Sequence, residues 1–433
     1  MDQTASNWDH CLQVASASDL GLRRANNQDS KAVAMASGKE TWESRGHLFV
    51  VADGMGAHAA GELASKLATD IVPLTYFKLK DVSPPEALLT AVHEANNQIH
   101  ARGSASDDFK GMGTTISTLA LLPQGSLVAQ VGDSRVYRWR SHRLEQLTFD
   151  HSLVWELRAS GQLPEGAVPN YVPKNIITRS LGPNAQVQID LEGPSPVYVG
   201  DTFLLCSDGL SGQVADDEIG KILGCMAPDE AVRSLVDLAN LRGGPDNITV
   251  IVVRVTAPLV PPEKSGASDS ARPRPARPVH PAVWSLLGIC ALAALASVAL
   301  GFWLLSAVAA VAAAISGIVA AVQRNSGGGT VQFNGRPLGK GPYTTCDCQP
   351  DAGFAARLAQ IGDELRQAAS SEQWNVDWNT FNTLFTQAGA AAQAGNYPES
   401  IQLYCQAVSF MMNEVKNQRG RRRPGNSSVL DFG

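Results

Sequence analysis

Leu48-Phe49-Val50-Val51-Ala52 runs directly into Asp53-Gly54, an apolar stretch that stops on a carboxylate. A short run rich in valine, bounded by glycine, reads as a buried strand. The pattern recurs. Val128-Ala129-Gln130-Val131-Gly132 stops on Asp133, and Phe203-Leu204-Leu205-Cys206-Ser207 stops on Asp208-Gly209. A fourth aspartate, Asp246, lies in Gly243-Gly244-Pro245-Asp246-Asn247, just ahead of the strand-like Ile248 to Val255. Strand ends can converge on one rim of a sheet, where carboxylates repel one another unless a positive charge sits between them. Oxygen donors without His or Cys favour a hard cation, Mg²⁺ or Mn²⁺, over Zn²⁺. The expectation is a metal-assisted enzyme on a mixed α/β scaffold.

Further motifs fill the intervals. Gly21-Leu22-Arg23-Arg24-Ala25-Asn26-Asn27-Gln28-Asp29-Ser30 comes first, and Asp53-Gly54-Met55-Gly56 continues through Ala57-His58 to Gly61-Glu62. Gly111-Met112-Gly113-Thr114-Thr115, Gly132-Asp133-Ser134-Arg135, Ser207-Asp208-Gly209-Leu210 and Gly244-Pro245-Asp246-Asn247 follow. In this order and spacing the chain resembles the bacterial branch of the metal-dependent (PPM, type 2C) protein serine/threonine phosphatases, over residues 10 to 256 or so. One Asp-Gly pair would mean nothing; six motifs in order are specific.

The resemblance implies a fold and a chemistry. The fold is an α-β-β-α sandwich, two antiparallel sheets flanked by helices, with the metal site at one end. The reaction is hydrolysis of phosphoserine and phosphothreonine on proteins, by a water activated between two Mn²⁺ or Mg²⁺ ions. Asp53 would bridge both ions with the Gly54 carbonyl beside it, Asp246 would complete one shell and Asp208 the other, and Asp133 matches a third-ion position. Asp29 would hydrogen-bond metal waters, and Arg24 would grip the phosphoryl oxygens through its planar guanidinium. Taken singly, each aspartate is more simply a turn cap. Gln28 stands where many relatives have Glu, Met55 where animal members have a histidine, and Ala57 where a glycine is usual. His58 reads most simply as a helix-start residue. The implied partners are phosphorylated proteins, including Ser/Thr kinases and their substrates. A rival from another class is a catalytically weak phosphatase-like domain that binds phosphorylated partners; a small-molecule phosphomonoesterase is the chemical runner-up.

Other chemistries lack their residues. Thr114-Thr115 opens an apolar strand, where hydroxyls serve backbone or metal waters rather than attack. Cys206 lies inside an apolar run, with no loop of amides and arginine to hold a phosphocysteine thiolate. The seven cysteines are scattered, and Cys346-Asp347-Cys348 is too tightly spaced for a structural zinc pair. A net charge of −6 with no basic face over the first 256 residues argues against nucleic acid. The N-terminus does not read as a cleavable signal peptide.

Organisation follows composition. Residues 1–258 alternate strand-like and helical stretches, with helices at roughly 59–80 and 85–103 and strands over Thr115 to Leu122 and Leu127 to Arg140. They hold every expected ligand and read as a self-sufficient catalytic domain. The long polar connection 150–182 reads as a functional flap. Residues 259–281 are a Pro-rich linker. Residues 282–323 carry no charge and read as membrane-embedded, in one span or a two-span hairpin, since the stretch is about twice the hydrocarbon thickness as a single helix. A Gly-rich joint with a strand-like piece at Thr330 to Asn334 fills 324–350, and 351–433 is helical with a basic tail. There Gly395, Tyr397, Ser400, Tyr404 and Ala407 fit either half of a tetratricopeptide unit or an ordinary helical hairpin. The expected location is a bacterial cell membrane, with the catalytic domain cytoplasmic.

Overall fold

Two antiparallel sheets form the centre of this computed structural model, which describes residues 10–56, 59–164, 168–169, 172–173, 175–259 and 338–422. The first sheet contains β1 (Leu12–Asp19), β7 (Arg135–Arg140), β8 (Arg143–Gln146), β10 (Thr202–Cys206), β11 (Ile248–Val255) and β12 (Thr344–Asp347), in the order β1-β11-β10-β7-β8-β12. The second contains β2 (Asp29–Ala34), β3 (His47–Met55), β5 (Ile116–Leu122), β6 (Gly125–Val131) and β9 (Asp190–Ser195), in the order β2-β3-β5-β6-β9, with β4 (Gly113–Thr114) pairing β3. Alternation of side chains along each strand sorts the core into layers. Phe49 and Val51 meet Phe203, Leu205, Ile251 and Val253 between the sheets. Leu48 and Val50 point the other way, onto α2 (Ala60–Lys78) and α3 (Pro84–Ala105). Helix α1 (Lys39–Arg45) precedes β3, and the short α4 (Leu153–Ala159) and α5 (Asp208–Ser211) follow β8 and β10.

Local chemistry explains the helix limits. Ser83 accepts a hydrogen bond from Glu86 N at the start of α3, and Pro84 occupies the first helical position, where its missing N–H costs nothing. Along α2, Ala64, Ala68, Val72 and Tyr76 recur every four residues and are all buried against the sheet.

The stretch expected as one strand over Leu127 to Arg140 is two. Strand β6 ends at Val131, the chain turns at Gly132, whose φ of +107° favours glycine, and β7 starts at Arg135 in the opposite sheet. Asp133 therefore follows the end of β6, as the apolar run that stops on it implies, and sits on a crossing between sheets, not inside one long strand.

Beyond Leu338 the chain packs onto the same unit as residues 1–261. Strand β12 adds to the edge of the first sheet beside β8, with Cys346 opposite Leu144. Helices α8 (Ala352–Ser371), α9 (Trp378–Gln393) and α10 (Tyr397–Arg422) follow. They cover α6 (Asp216–Cys225) and α7 (Pro228–Leu241): Phe354, Leu358, Ile401 and Tyr404 share one buried cluster with Ile222, Leu223 and Leu235. Lys416 Nζ reaches Asp237 Oδ1 at 3.2 Å and Asp19 Oδ2 at 3.3 Å, and Lys221 Nζ meets Asp351 Oδ2 at 2.6 Å. Ala394-Gly395-Asn396 makes the turn between α9 and α10, and Tyr404 packs edge-on against Phe385 at 5.1 Å. Residues 282–323, the piece at Thr330 to Asn334, Ala57 and His58 lie outside the described residues. Among the described residues no helix is long and apolar enough to cross a membrane.

Candidate active site

Five aspartates meet at one rim of the sandwich, supplied by both sheets. Asp29 opens β2 and stands directly opposite Asp53 of β3. Asp208 begins α5 just after β10, Asp246 lies just ahead of β11, and Asp133 rides the crossing from β6 to β7. All five keep some surface open to solvent, so they line an accessible rim.

Their titration reports their proximity. The Asp53 carboxyl is pushed well above the usual range, first by burial and then by the charges of Asp29, Asp208, Asp133 and Asp246. Asp133 is pushed up to about 8 by burial, then by Asp208 and Asp150. Asp29 is pushed up to about 7 by burial, and hydrogen bonds from Ser207 and Thr249 hold it down against the charges of Asp208 and Asp246. Asp208 is raised by burial and then by Asp246, with a hydrogen bond from Asp53 and the charge of Arg24 opposing. Asp29 Oδ1, Asp133 Oδ1 and Asp208 Oδ1 are buried with no hydrogen-bond partner. Among the described residues no group of three or more His, Cys, Asp or Glu side chains is placed to hold a metal ion as it stands. Asp246 turns to Arg24, whose Nη2 donates to Asp246 Oδ2 at 2.7 Å.

The resemblance gives the Gly54 carbonyl to an ion. The structure gives it another duty. A Cβ at 54 would stand 2.1 Å from Gly61 O and 2.5 Å from Gln28 O, so only glycine lets α2 and the Arg24 loop close on β3.

Several supporting residues were not singled out from the sequence. Asn247 braces the Arg24 loop from within, accepting from Gln28 N at 2.8 Å and donating to Leu20 O at 2.9 Å and Asn26 O at 3.1 Å. Ser207 Oγ donates to Asp29 Oδ2 at 2.7 Å and accepts from Thr249 N at 3.0 Å, tying Asp29 to the opposite sheet. Both stand beside a motif aspartate, which was the available signal. Thr114 Oγ1 donates to Asp53 O at 2.9 Å, and Thr115 Oγ1 accepts from Asp53 N at 2.9 Å while bonding Ser134 at 2.8 Å. Both hydroxyls hold the Asp53 backbone and are not free to attack. Burial pushes the Cys206 thiol up, which keeps it protonated and unreactive.

The flap is pinned at both ends. Ser152 pairs with Ile177 and Leu181 with Thr114, next to Asp53. At its root, Arg135 Nη2 grips Asp150 Oδ2 at 2.7 Å, and His151 Nδ1 accepts from Gly132 N at 3.0 Å. His151 Nε2 is then the protonated nitrogen and donates to Asp190 Oδ2 at 3.0 Å. Arg179 closes the cluster from the far end of the flap, at 3.1 Å from Asp190 Oδ1.

Known proteins carry the same stretch. The family model of protein phosphatase 2C matches residues 23–238. The chain is 37% identical over 248 residues to a putative protein phosphatase 2C-type of Streptococcus pyogenes, covering 56% of this chain and 97% of that protein. It is 35% identical over 242 residues to the serine/threonine phosphatase stp of Listeria monocytogenes, across 54% and 92% of the two chains. The solved structure of the S. agalactiae serine/threonine phosphatase is similar at 35% identity and a TM-score of 0.50, over 56% of this chain and 99% of that one. With the two antiparallel sheets and the ordered motifs in place, the chain belongs to the protein phosphatase 2C family and is a serine/threonine phosphatase.

Proposed function

We propose that this phosphatase removes phosphate from phosphoserine and phosphothreonine of proteins with divalent cations, Mn²⁺ or Mg²⁺, held at the aspartate rim. The observation that carries this reading is the three buried carboxylate oxygens of Asp29, Asp133 and Asp208 that no donor satisfies, beside the crowded Asp53. Buried anions without partners are costly unless a cation joins them. Asp53, the Gly54 carbonyl, Asp208 and Asp246 would hold two ions and Asp133 a third, with Asp29 steadying the shell. Bound there, such cations supply an activated water and neutralise phosphoryl charge. The chain's own residues do the rest. Arg24, exposed at the mouth, offers a fork for phosphoryl oxygens. Thr114 and Thr115 fix the Asp53 backbone, and Asn247 sets the loop that carries Arg24. The deciding experiment is hydrolysis of a phosphothreonine peptide as Mn²⁺ is titrated in and then chelated; full activity in excess chelator would sink the reading.

Two expectations follow from the geometry. Since burial and neighbouring charge raise Asp29 to about 7, Asp133 to about 8 and Asp53 well above the usual range, cation binding at pH 7 should expel protons. Release should shrink as pH rises through these values and the carboxyls ionise before the cation binds. Calorimetry of Mn²⁺ binding in buffers of different ionisation heat reads this directly; buffer-independent heats would contradict it.

Arg24→Ala should raise KM for phosphopeptide and lower kcat, because a phosphate clamp acts in both ground and transition states. The same variant frees Asp246 from its 2.7 Å ion pair. Half-saturating Mn²⁺ should therefore fall. A rise in the Mn²⁺ requirement would mean that Arg24 supports the ligand shell instead of competing for it.

The uncharged run 282–323 supports a membrane anchor with the catalytic domain on the cytoplasmic side. Phosphorylated proteins near that membrane, including kinases and their substrates, are the proposed partners. In cell fractionation the full chain is expected in the membrane pellet and a chain lacking residues 282–323 in the supernatant; a full chain in the supernatant would contradict the anchor.

A further inference from the structure

A path of aromatic rings runs from the C-terminal segment to the crossing that carries Asp133. Tyr343, just ahead of β12, meets Phe149 edge-on with ring centroids 5.4 Å apart. Phe149 in turn meets Trp155 of α4 edge-on at 5.4 Å and lies 6.1 Å from His151. Both rings end on neighbours of Asp133. His151 Nδ1 accepts from Gly132 N, and the Arg135 guanidinium lies 5.8 Å from the Trp155 ring centre while gripping Asp150. Tyr343 is itself firmly held. Its backbone N donates to Gln146 O at 2.8 Å, its hydroxyl donates to Glu192, and Glu192 also accepts from Gly341 N at 2.9 Å. Leu338 and Gly193 pair across the neighbouring edge of the other sheet. The segment 338–347 is thus stitched to both sheets before it offers its ring to the flap. Residue 343 lies outside the 23–238 stretch that matches the family model, so this buttress is an addition to the shared domain.

We propose that Tyr343 is a positioning residue for the phosphatase site: its ring seats Phe149, which holds the root of the 150–182 flap and the Gly132–Arg135 crossing, and so sets the aim of the Asp133 carboxylate. The proposal rests on the reading of the aspartate rim as the metal site. A single edge-on aromatic pair is a modest interaction, so the effect is a shift of several-fold and not an abolition. Because Tyr343 is reached through the chain that follows the linker, anything that moved that chain would be felt at the rim.

The test uses the full chain and two readouts. Phosphothreonine-peptide hydrolysis is measured against Mn²⁺, and limited tryptic cleavage of the flap after Arg158 and Arg179 is followed by mass. Tyr343→Leu is expected to speed flap cleavage by about three- to tenfold, to raise half-saturating Mn²⁺ and to lower kcat with KM nearly unchanged. Tyr343→Phe keeps the ring but loses the hydroxyl's bond to Glu192, and should fall between the parent and Tyr343→Leu in every readout. Phe149→Leu, on the other side of the contact, should reproduce Tyr343→Leu, and the double variant should be no worse than either single. This second single variant keeps the test open should Tyr343→Leu fold poorly. In an Asp133→Ala background the Mn²⁺ shift should vanish. Parent-like digestion and turnover in Tyr343→Leu, or Tyr343→Phe as impaired as Tyr343→Leu, would overturn the proposal. If the digestion pattern follows the ring while the parent shows no metal-stimulated hydrolysis, Tyr343 still positions the flap, and it is the metal-site reading that fails.

Discussion

Asp53→Asn is expected to abolish turnover and, in the same protein, to raise the melting temperature measured in chelator. Turnover should fall by at least about a thousandfold, since an anionic ligand of a hydrolytic metal is lost. The gain in stability comes from the same carboxylate. Its proton affinity is raised by burial and by four neighbouring aspartates, so the ionised form at neutral pH opposes folding. A carboxyl raised in the folded state contributes most at low pH, and that contribution is lost as pH rises through the folded value. An isosteric amide removes the charge and keeps the shape. The expected rise is about 2–4 °C for each kcal/mol of repulsion relieved. Calorimetric melts of parent and variant in chelator, alongside the peptide assay, check both halves. A variant that melts lower in chelator would show that the Asp53 charge supports the fold; retained activity would remove it from the chemistry.

The second large effect is architectural. Ending the chain after Leu259 should give a protein that melts at least about 10 °C lower or fails to stay soluble, at odds with the self-sufficient 1–258 domain expected from motif positions. Loss of 338–422 uncovers the α6–α7 face that Phe354, Leu358, Ile401 and Tyr404 now bury. Each large apolar side chain returned to water costs about 1.5–3 kcal/mol, and a few such losses rival the whole stability of a domain. The edge of β8 also loses its partner, leaving open backbone groups that invite association. Circular dichroism melts and dye binding compare the two lengths. Identical melting of the short and full chains would show that the helical end merely rests on the surface.

The contrast between those two predictions shows where a linear reading succeeds. Asp53, Asp208 and Asp246 were legible because each follows or precedes a continuous apolar run, which reads locally as a buried strand. The two helices over roughly 59–80 and 85–103 were legible from local pattern as well, and appear as Ala60–Lys78 and Pro84–Ala105. Asp133 was found at the end of its strand, but the crossing to the other sheet that follows it was not. Gly132-Asp133-Ser134 lies between two apolar runs without a proline, and nothing local says that those runs belong to different sheets. Asn247, Ser207, His151 and Arg135 escaped because their partners lie far away in sequence; Asn247, for example, bonds Leu20 and Asn26. The docking of α8 to α10 escaped for a similar reason. An amphipathic helix announces that it will bury a face but not against what.

The placement of the aspartates has one more consequence. Asp29 and Asp53 belong to one sheet, Asp208 and Asp246 adjoin strands of the other, and Asp133 is on the bridge between them. The gap across which they face one another is therefore set by the thickness of the apolar layer of Phe49, Val51, Phe203 and Leu205. Close-packed interiors transmit a change of even one methylene. The catalytic rim behaves as a caliper on that layer, so that turnover registers a misfit deep in the core.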